Sequence, residues 1–303
     1  MTVVDSEKKS KRTFEQNLAF AKTRSLIEPV VLPGDLIQKS EDVGPMQLPV
    51  WPETVRGIPN SILRSALFGA IKRGKRAFQQ RVKTASVEGV TIIHTGPQLD
   101  QADLDVWEQC LQLARTGGLG TSIQFSARGF LKAIERSAGG KDIEWLRGAF
   151  ARLSSSVVEV TDEKRAYFGP MLIGGARDDE SGNYVVEINP QIISLFGSDG
   201  WSSIEFEVRR SLKKQPLAQW LHGFYSSHAR PFPIKVETLH RLCGSDNKAL
   251  AGFKQELRKS LERLTDKTGW TNEIDDADLV RISKIGTDSQ ARHLAKKAQK
   301  RLK

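Results

Sequence analysis

The chain has 303 residues, a formal net charge of +10, 39% hydrophobic residues and two cysteines. That length is within reach of two ordinary domains, and the apolar content suffices for two modest cores. No run approaches the roughly 20 apolar residues that span a bilayer, and Cys110 and Cys243 match no zinc spacing, so membrane-spanning, disulfide-stapled and zinc-built designs are excluded and a reduced, cytoplasmic setting is expected.

In chain order, residues 1–60 predict one helix over 13–28 and then a stretch broken by Pro29, Pro33, Gly34, Gly44, Pro45, Pro49 and Pro52. This reads as a flexible, partner-facing arm. Residues 61–200 predict a first unit. Its opening holds Arg64, Lys72, Arg73, Lys75, Arg76, Arg81 and Lys83 with no acid among them, which suits either phosphate tracking or a solvated surface. Within it, Gly69 to Arg76 spells G-x-x-x-x-G-K-R, but Arg76 stands where a phosphate-binding loop needs a magnesium-binding hydroxyl, so an ATP-driven loader is the weaker reading. Leu104, Trp107, Leu111 and Ala114 stripe a helix, 122–125 alternates as a strand, and Phe130, Leu131 and Ile134 form a short helix. Ile143, Leu146, Phe150 and Leu153 stripe a third helix, whose outward face carries Glu144, Trp145, Gly148 and Arg152. Strand-like runs follow at 157–161, 167–173 and 184–188, and the joint to the next unit is expected at 197–203.

Residues 201–285 predict a second unit in the same order. Pro216 starts a helix striped by Leu217, Trp220, Leu221 and Phe224; 234–236 is extended; 237–242 is a short helix. The cluster Gly244, Ser245, Asp246 and Asn247 supplies a turn and a cap for a helix over 247–264, with Leu250, Phe253, Leu257, Leu261 and Leu264 along its apolar stripe. A hairpin over 270–282 follows, and residues 286–303 form a basic tail. Helix, strand, helix, turn, helix and hairpin describe a winged helix-turn-helix. The fold expected is therefore α+β, with two tandem winged helix-turn-helix domains behind a flexible N-terminal arm.

The third helix of the second unit is the expected groove reader. A helical wheel gathers Lys248, Gln255 and Lys259 opposite the apolar stripe, with Arg258 and Arg263 on the flanks; a plain solvated face is the alternative. Residues 201–303 hold 21 basic and 12 acidic side chains, against 17 and 16 over 61–200 and 8 and 8 over 1–60. Such an excess suits a polyanion partner. DNA contacts are expected from Lys248, Gln255, Arg258, Lys259 and Arg263, with Arg152, Lys72, Arg73, Lys75 and Arg76 in support. His94, His222, His228, His240 and His293 form no metal-binding pair, so neither a cofactor nor a catalytic centre is expected.

Several short motifs then carry a resemblance. Trp51-Pro52-Glu53-Thr54, Ile58-Pro59-Asn60, Arg64-Ser65-Ala66-Leu67-Phe68, Thr95-Gly96, Leu195-Phe196-Gly197, Tyr225-Ser226-Ser227-His228, Pro231-Phe232-Pro233, Lys235-Val236-Glu237-Thr238 and Cys243-Gly244-Ser245-Asp246 together resemble the TrfA-type plasmid replication initiators. The likeness runs from about residue 47 to 283. It implies a protein that binds direct repeats in double-stranded origin DNA, promotes opening of an adjacent AT-rich segment that it also contacts as a single strand, and recruits the host helicase and sliding clamp. It also implies a monomer–dimer equilibrium with an active monomer. Gln47, Leu48, Val50 and Trp51 resemble the family's clamp-binding peptide, with Val50 and Trp51 in place of leucine and phenylalanine; a Pro-rich linker is the alternative. A winged-helix transcriptional repressor is the other functional reading, since the same fold reads an operator.

Overall fold

The first described residues turn inward. In this computed structural model, which describes residues 47–301 except 73, 75, 119–121, 163–165, 198 and 199, Leu48 and Trp51 are buried in a core. β1 (Val55–Pro59) follows and pairs antiparallel with the strand at Trp201–Glu205. Residues 47–60 are thus a structural edge of the first unit, which corrects the expected arm; its residues 1–46 lie outside the described ones. The same pairing moves the joint past 197–203, because Trp201–Glu205 closes the first unit.

After β1 come α1 (Asn60–Leu63), β2 (Phe68–Gly69), β3 (Phe78–Thr84), β4 (Thr91–Pro97), β5 (Leu99–Asp100) and α2 (Gln101–Ala114). The start of α2 is fixed by a reciprocal cap: Asp100 accepts the backbone N–H of Asp103 at 2.9 Å, and Asp103 accepts that of Asp100 at 3.1 Å. Next are β6 (Ser122–Ser126), α3 (Ala127–Ala133), α4 (Gly140–Ser155), β7 (Val157–Thr161), β8 (Ala166–Pro170), β9 (Leu172–Asp178), β10 (Asn183–Ile188), a 3-10 turn at Pro190–Phe196 and β11 (Trp201–Glu205). Besides the two-stranded pairs β1–β11 and β2–β5, two larger sheets form. β6, β10 and β9 pair in that order, while β3, β4, β7 and β8 form a separate antiparallel sheet. The runs at 157–161 and 166–170 therefore belong to the four-stranded sheet, and the hairpin beside α4 is β9–β10.

α5 (Phe206–Ser211) leads into α6 (Pro216–Ser226), which begins on Pro216, where the missing N–H costs nothing. β12 (Ile234–Lys235), α7 (Val236–Leu242), α8 (Leu250–Thr268), β13 (Thr271–Ile274) and β14 (Leu279–Ser283) complete a second unit, with strand order β12, β14, β13. This matches the order β6, β10, β9 around α2, α3 and α4, so the chain repeats one α+β topology. Residues 288–301 form α9 (Asp288–Arg301) rather than a tail. Gln290 anchors it by donating from Nε2 to the Ser226 carbonyl at 2.7 Å.

Each unit has its own apolar core, and a segment of the first reaches into the second. Ala70 is buried in the second core, its N–H donates to the Cys243 carbonyl at 2.7 Å, and Trp220 Nε1 donates to the Ser65 carbonyl at 2.9 Å. A buried charged tie is made by Arg209 at the end of α5. It is 1% exposed, pairs with Asp105 at 2.8 Å and Glu108 at 3.1 Å, and donates to the Gln101 side chain at 3.1 Å and its carbonyl at 3.0 Å.

Burial also sets a pH response. His228 sits at the end of α6 with Nδ1 on the Phe224 carbonyl at 2.7 Å; burial, then the charges of Arg64 and Lys284, lower its pKa to about 4. A base depressed in the folded state stabilises fully above its unfolded pKa near 6.5 and loses that contribution as pH falls toward 4. Wild type is therefore expected to lose its stability advantage over His228→Gln by roughly 1.4 kcal/mol per pH unit below about 6.5. Urea unfolding of both proteins at pH 7 and pH 5 checks this, and a constant difference between them refutes it.

Candidate nucleic-acid interface

α8 is held by one apolar stripe. Phe253, Leu257, Leu261 and Leu264 are buried, the helix packs chiefly on α6, and Gly269 ends it in a left-handed turn at φ 70°. Leu250 is 41% exposed and takes no part in that stripe. The helix begins at Leu250, later than expected, because residues 245–249 form a separately bonded turn. The Asn247 carbonyl accepts the His240 Nε2–H at 2.7 Å, and its side chain accepts the Ala249 N–H at 3.3 Å. Lys248 accordingly stands in the turn ahead of the helix, exposed.

On the outer face Ala251, Gln255, Arg258, Lys259, Glu262, Arg263 and Asp266 are all exposed. The first half is free of acids at these positions, while Glu262 and Asp266 interrupt the second. A helix of this length spans about 28 Å, more than a major groove about 12 Å wide, so the two halves meet different surroundings. Lys254 is half-buried and pairs with Asp278 in the β13–β14 turn. That turn is acidic: Asp275 accepts the N–H groups of Ala277 at 3.0 Å and Leu279 at 2.9 Å, and pairs with Arg281 at 3.2 Å. The cations nearest the hairpin tip, Lys254 and Arg281, are thus taken up by its own acids.

The supporting cations expected from sequence fare differently. Arg152 grips Asp103 through Nη2 at 2.6 Å and Nε at 3.1 Å, and Arg76 pairs with Asp100. These four residues form one cluster at the start of α2. Asp103 is fully buried, and burial, then the Asp100 charge, raises its pKa to about 6 against the opposing pull of Arg152 and Arg76. Arg76 and Arg152 are therefore structural ion-pair partners, which corrects their assignment to DNA. Lys72 is exposed; Arg73 and Lys75 lie outside the described residues. Arg64 donates to the Ser227 side chain at 2.9 Å and to its carbonyl, tying α1 to α6. Arg81, on the irregular strand β3, pairs with Glu159 across the sheet. The run from 64 to 83 is thus no single patch.

On α4, Trp145 lies under the Arg136 guanidinium at 3.4 Å, and Arg147 pairs with Asp179 at 2.6 Å. The face is nearly neutral. The clamp-like peptide is likewise in use. Trp51 stacks on Phe196 at 6.2 Å, leans on Trp201 at 5.7 Å and donates from Nε1 to Gln112 at 2.7 Å, while Leu48 is buried beside it. Only Gln47 and Val50 of the four face outward. With both large anchors consumed by its own core, the segment is not an available docking peptide.

Among the described residues, no group of three His, Cys, Asp or Glu side chains is placed to hold a metal, and no helix is long and apolar enough to cross a membrane. Burial pushes both cysteine thiols up, Cys243 to about 12. Lys213 and Lys214, which stand outside the residues expected from sequence, follow α5 and line a cleft between the two units. A pair of adjacent lysines in a connection carries no periodic signal.

A family model described as TrfA protein matches residues 36–284. The Escherichia coli plasmid replication initiator protein TrfA is 27% identical over 223 residues, which cover 71% of this chain and 58% of that protein. The chain thus spans little more than half the length of this relative. The crystal structure of domains 2 and 3 of RctB superposes with a TM-score of 0.51 at 12% identity, covering 74% of this chain and 96% of that one. At that identity the likeness is one of fold.

Proposed function

The chain belongs to the TrfA protein family, and from that premise we propose that it initiates plasmid replication by binding direct repeats in duplex origin DNA. In this reading each repeated unit is a winged helix-turn-helix, and α8 is the principal reader. One observation carries it: the first half of α8 and the turn before it present Lys248, Gln255, Arg258 and Lys259 outward, while the stripe beneath is locked into the core. Gln255 and Lys259 suit base edges, since an amide can bond adenine and a cation can bond guanine N7 and O6. Arg258 and Arg263 flank them and suit phosphates. The acidic hairpin tip leaves the helix to supply most donors. Family membership supports the further roles, opening of an AT-rich segment that it holds as a single strand and recruitment of helicase and sliding clamp; residues 47–51 have no part in them.

Gln255→Ala is expected to lower discrimination between the cognate repeat and random duplex by about 1–3 kcal/mol. Arg258→Ala should weaken both duplexes alike and flatten the salt dependence by roughly one contact. Fluorescence anisotropy across a salt series measures both. Undiminished discrimination by Gln255→Ala sinks the assignment of that residue, and maintenance of a plasmid carrying only the repeats separates an initiator from a repressor.

A further inference from the structure

Between the two units lies a cleft of about 240 Å³. Lys72 enters it from the segment that crosses between the cores, Lys213 and Lys214 from the connection between α5 and α6, and Arg136 from the turn between α3 and α4. The acids in the same cleft are already neutralised. Asp105 pairs with Arg209 at 2.8 Å and accepts from Gln219, and Asp100 pairs with Arg76. Among the described residues, no ion pair engages Lys72, Lys213 or Lys214. The lysines crowd one another and the arginine: burial, then Arg136 and Lys214, lowers the pKa of Lys213, with Glu135 and Asp105 opposing. Arg136 is itself paired with Asp142 at 3.3 Å, so the three lysines carry the excess, and positive charge gathered in a cleft attracts an anion.

Its position says which anion. The cleft joins the two helix-turn-helix connections. On one side Arg136 belongs to the turn that leads into α4; on the other the Lys72 backbone N–H donates to Asp246, in the turn that leads into α8, at 3.3 Å. In helix-turn-helix binding the turn and the first residues of the following helix face the duplex. A duplex laid along both turns is therefore expected to carry its backbone past this cleft.

Resting on the function proposed above, we infer that the inter-unit cleft, through Lys213, Lys214 and Lys72, holds phosphodiesters of the duplex where its backbone passes between the two units. These contacts fix the register of one unit against the other on the DNA and read no base. They would be independent of sequence and sensitive to salt.

The test compares wild type, the double variant Lys213→Ala with Lys214→Ala, and the charge-keeping double variant with arginine at both positions. Affinity for the repeat and for a scrambled duplex is measured at 50 and 200 mM salt, with urea midpoints to confirm folding. Each lysine removed is expected to shrink the ratio of affinities at the two salt concentrations by about 3.5-fold, with equal losses on both duplexes and with wild-type behaviour in the arginine variant. An unchanged salt ratio in a folded alanine variant overturns the inference, as does a loss confined to the repeat. Binding of inorganic phosphate at millimolar concentration, with duplex affinity unaltered by the alanines, assigns the cleft to a free anion and also overturns it. If wild type itself shows no preference for repeats, the function proposed above fails, while the salt ratio still decides the cleft.

Discussion

Arg209→Leu is expected to destabilise the protein by about 3–5 kcal/mol, the usual result of removing one partner from a buried ion pair. Arg209 is the only cation within salt-bridge distance of Glu108 among the described residues, and Glu108 Oε2 already lacks a hydrogen-bond partner. Burial, against the pull of Arg209 and Arg56, raises the Glu108 pKa to about 7. Without Arg209 that carboxylate is driven further toward its neutral form. An acid raised in the folded state costs stability as pH climbs above its unfolded pKa near 4.3, so the variant should recover on acidification, and recovery should be greater than for wild type. The double variant Arg209→Leu with Glu108→Leu should regain much of the loss, since apolar replacement of a buried pair is often neutral. Urea midpoints of the three proteins at pH 5 and pH 8 check both statements; a single variant as stable as wild type refutes them. Because Arg209 joins α5 to α2, weaker binding of long DNA sites is expected to accompany the loss.

Trp51→Ala should cost about 3–5 kcal/mol, the range for truncating a buried aromatic side chain. The indole is 2% exposed and Gln112 is its hydrogen-bond partner. Gly57 shows how closely the ring is fitted: a Cβ there would lie 2.5 Å from Trp51 Cε3. Gly57→Ala is accordingly expected to destabilise as well, although it changes nothing in the peptide 47–51. That pair of variants separates structure from docking. If both lower the urea midpoint, the segment is core; if Trp51→Ala leaves stability intact and abolishes clamp binding, the segment is a docking peptide after all.

The strands show where reading by pattern reaches its limit. Ser122–Ser126 and Asn183–Ile188 fall close to the runs expected from alternation. β3 was missed because its residues are mostly exposed, with Thr84 alone buried, so no apolar alternation marks it. β7 falls on the strand-like run expected at 157–161, but alternation identifies a strand without naming its partner. Its neighbour β4 lies more than sixty residues earlier in the chain.

Periodicity of apolar residues determined helices α2, α4, α6 and α8, including α6 from its first proline and the buried stripe of α8, because a helix packed on a core must put its core residues on one face. Short ordered motifs determined the family. The tertiary structure decided which cations are available. Arg152 meets Asp103 and Arg76 meets Asp100 only after the chain folds back, and Trp51 finds Phe196 and Trp201 in the same way. Charge and aromaticity are written residue by residue. Their availability depends on partners far along the chain, and only packing chooses those.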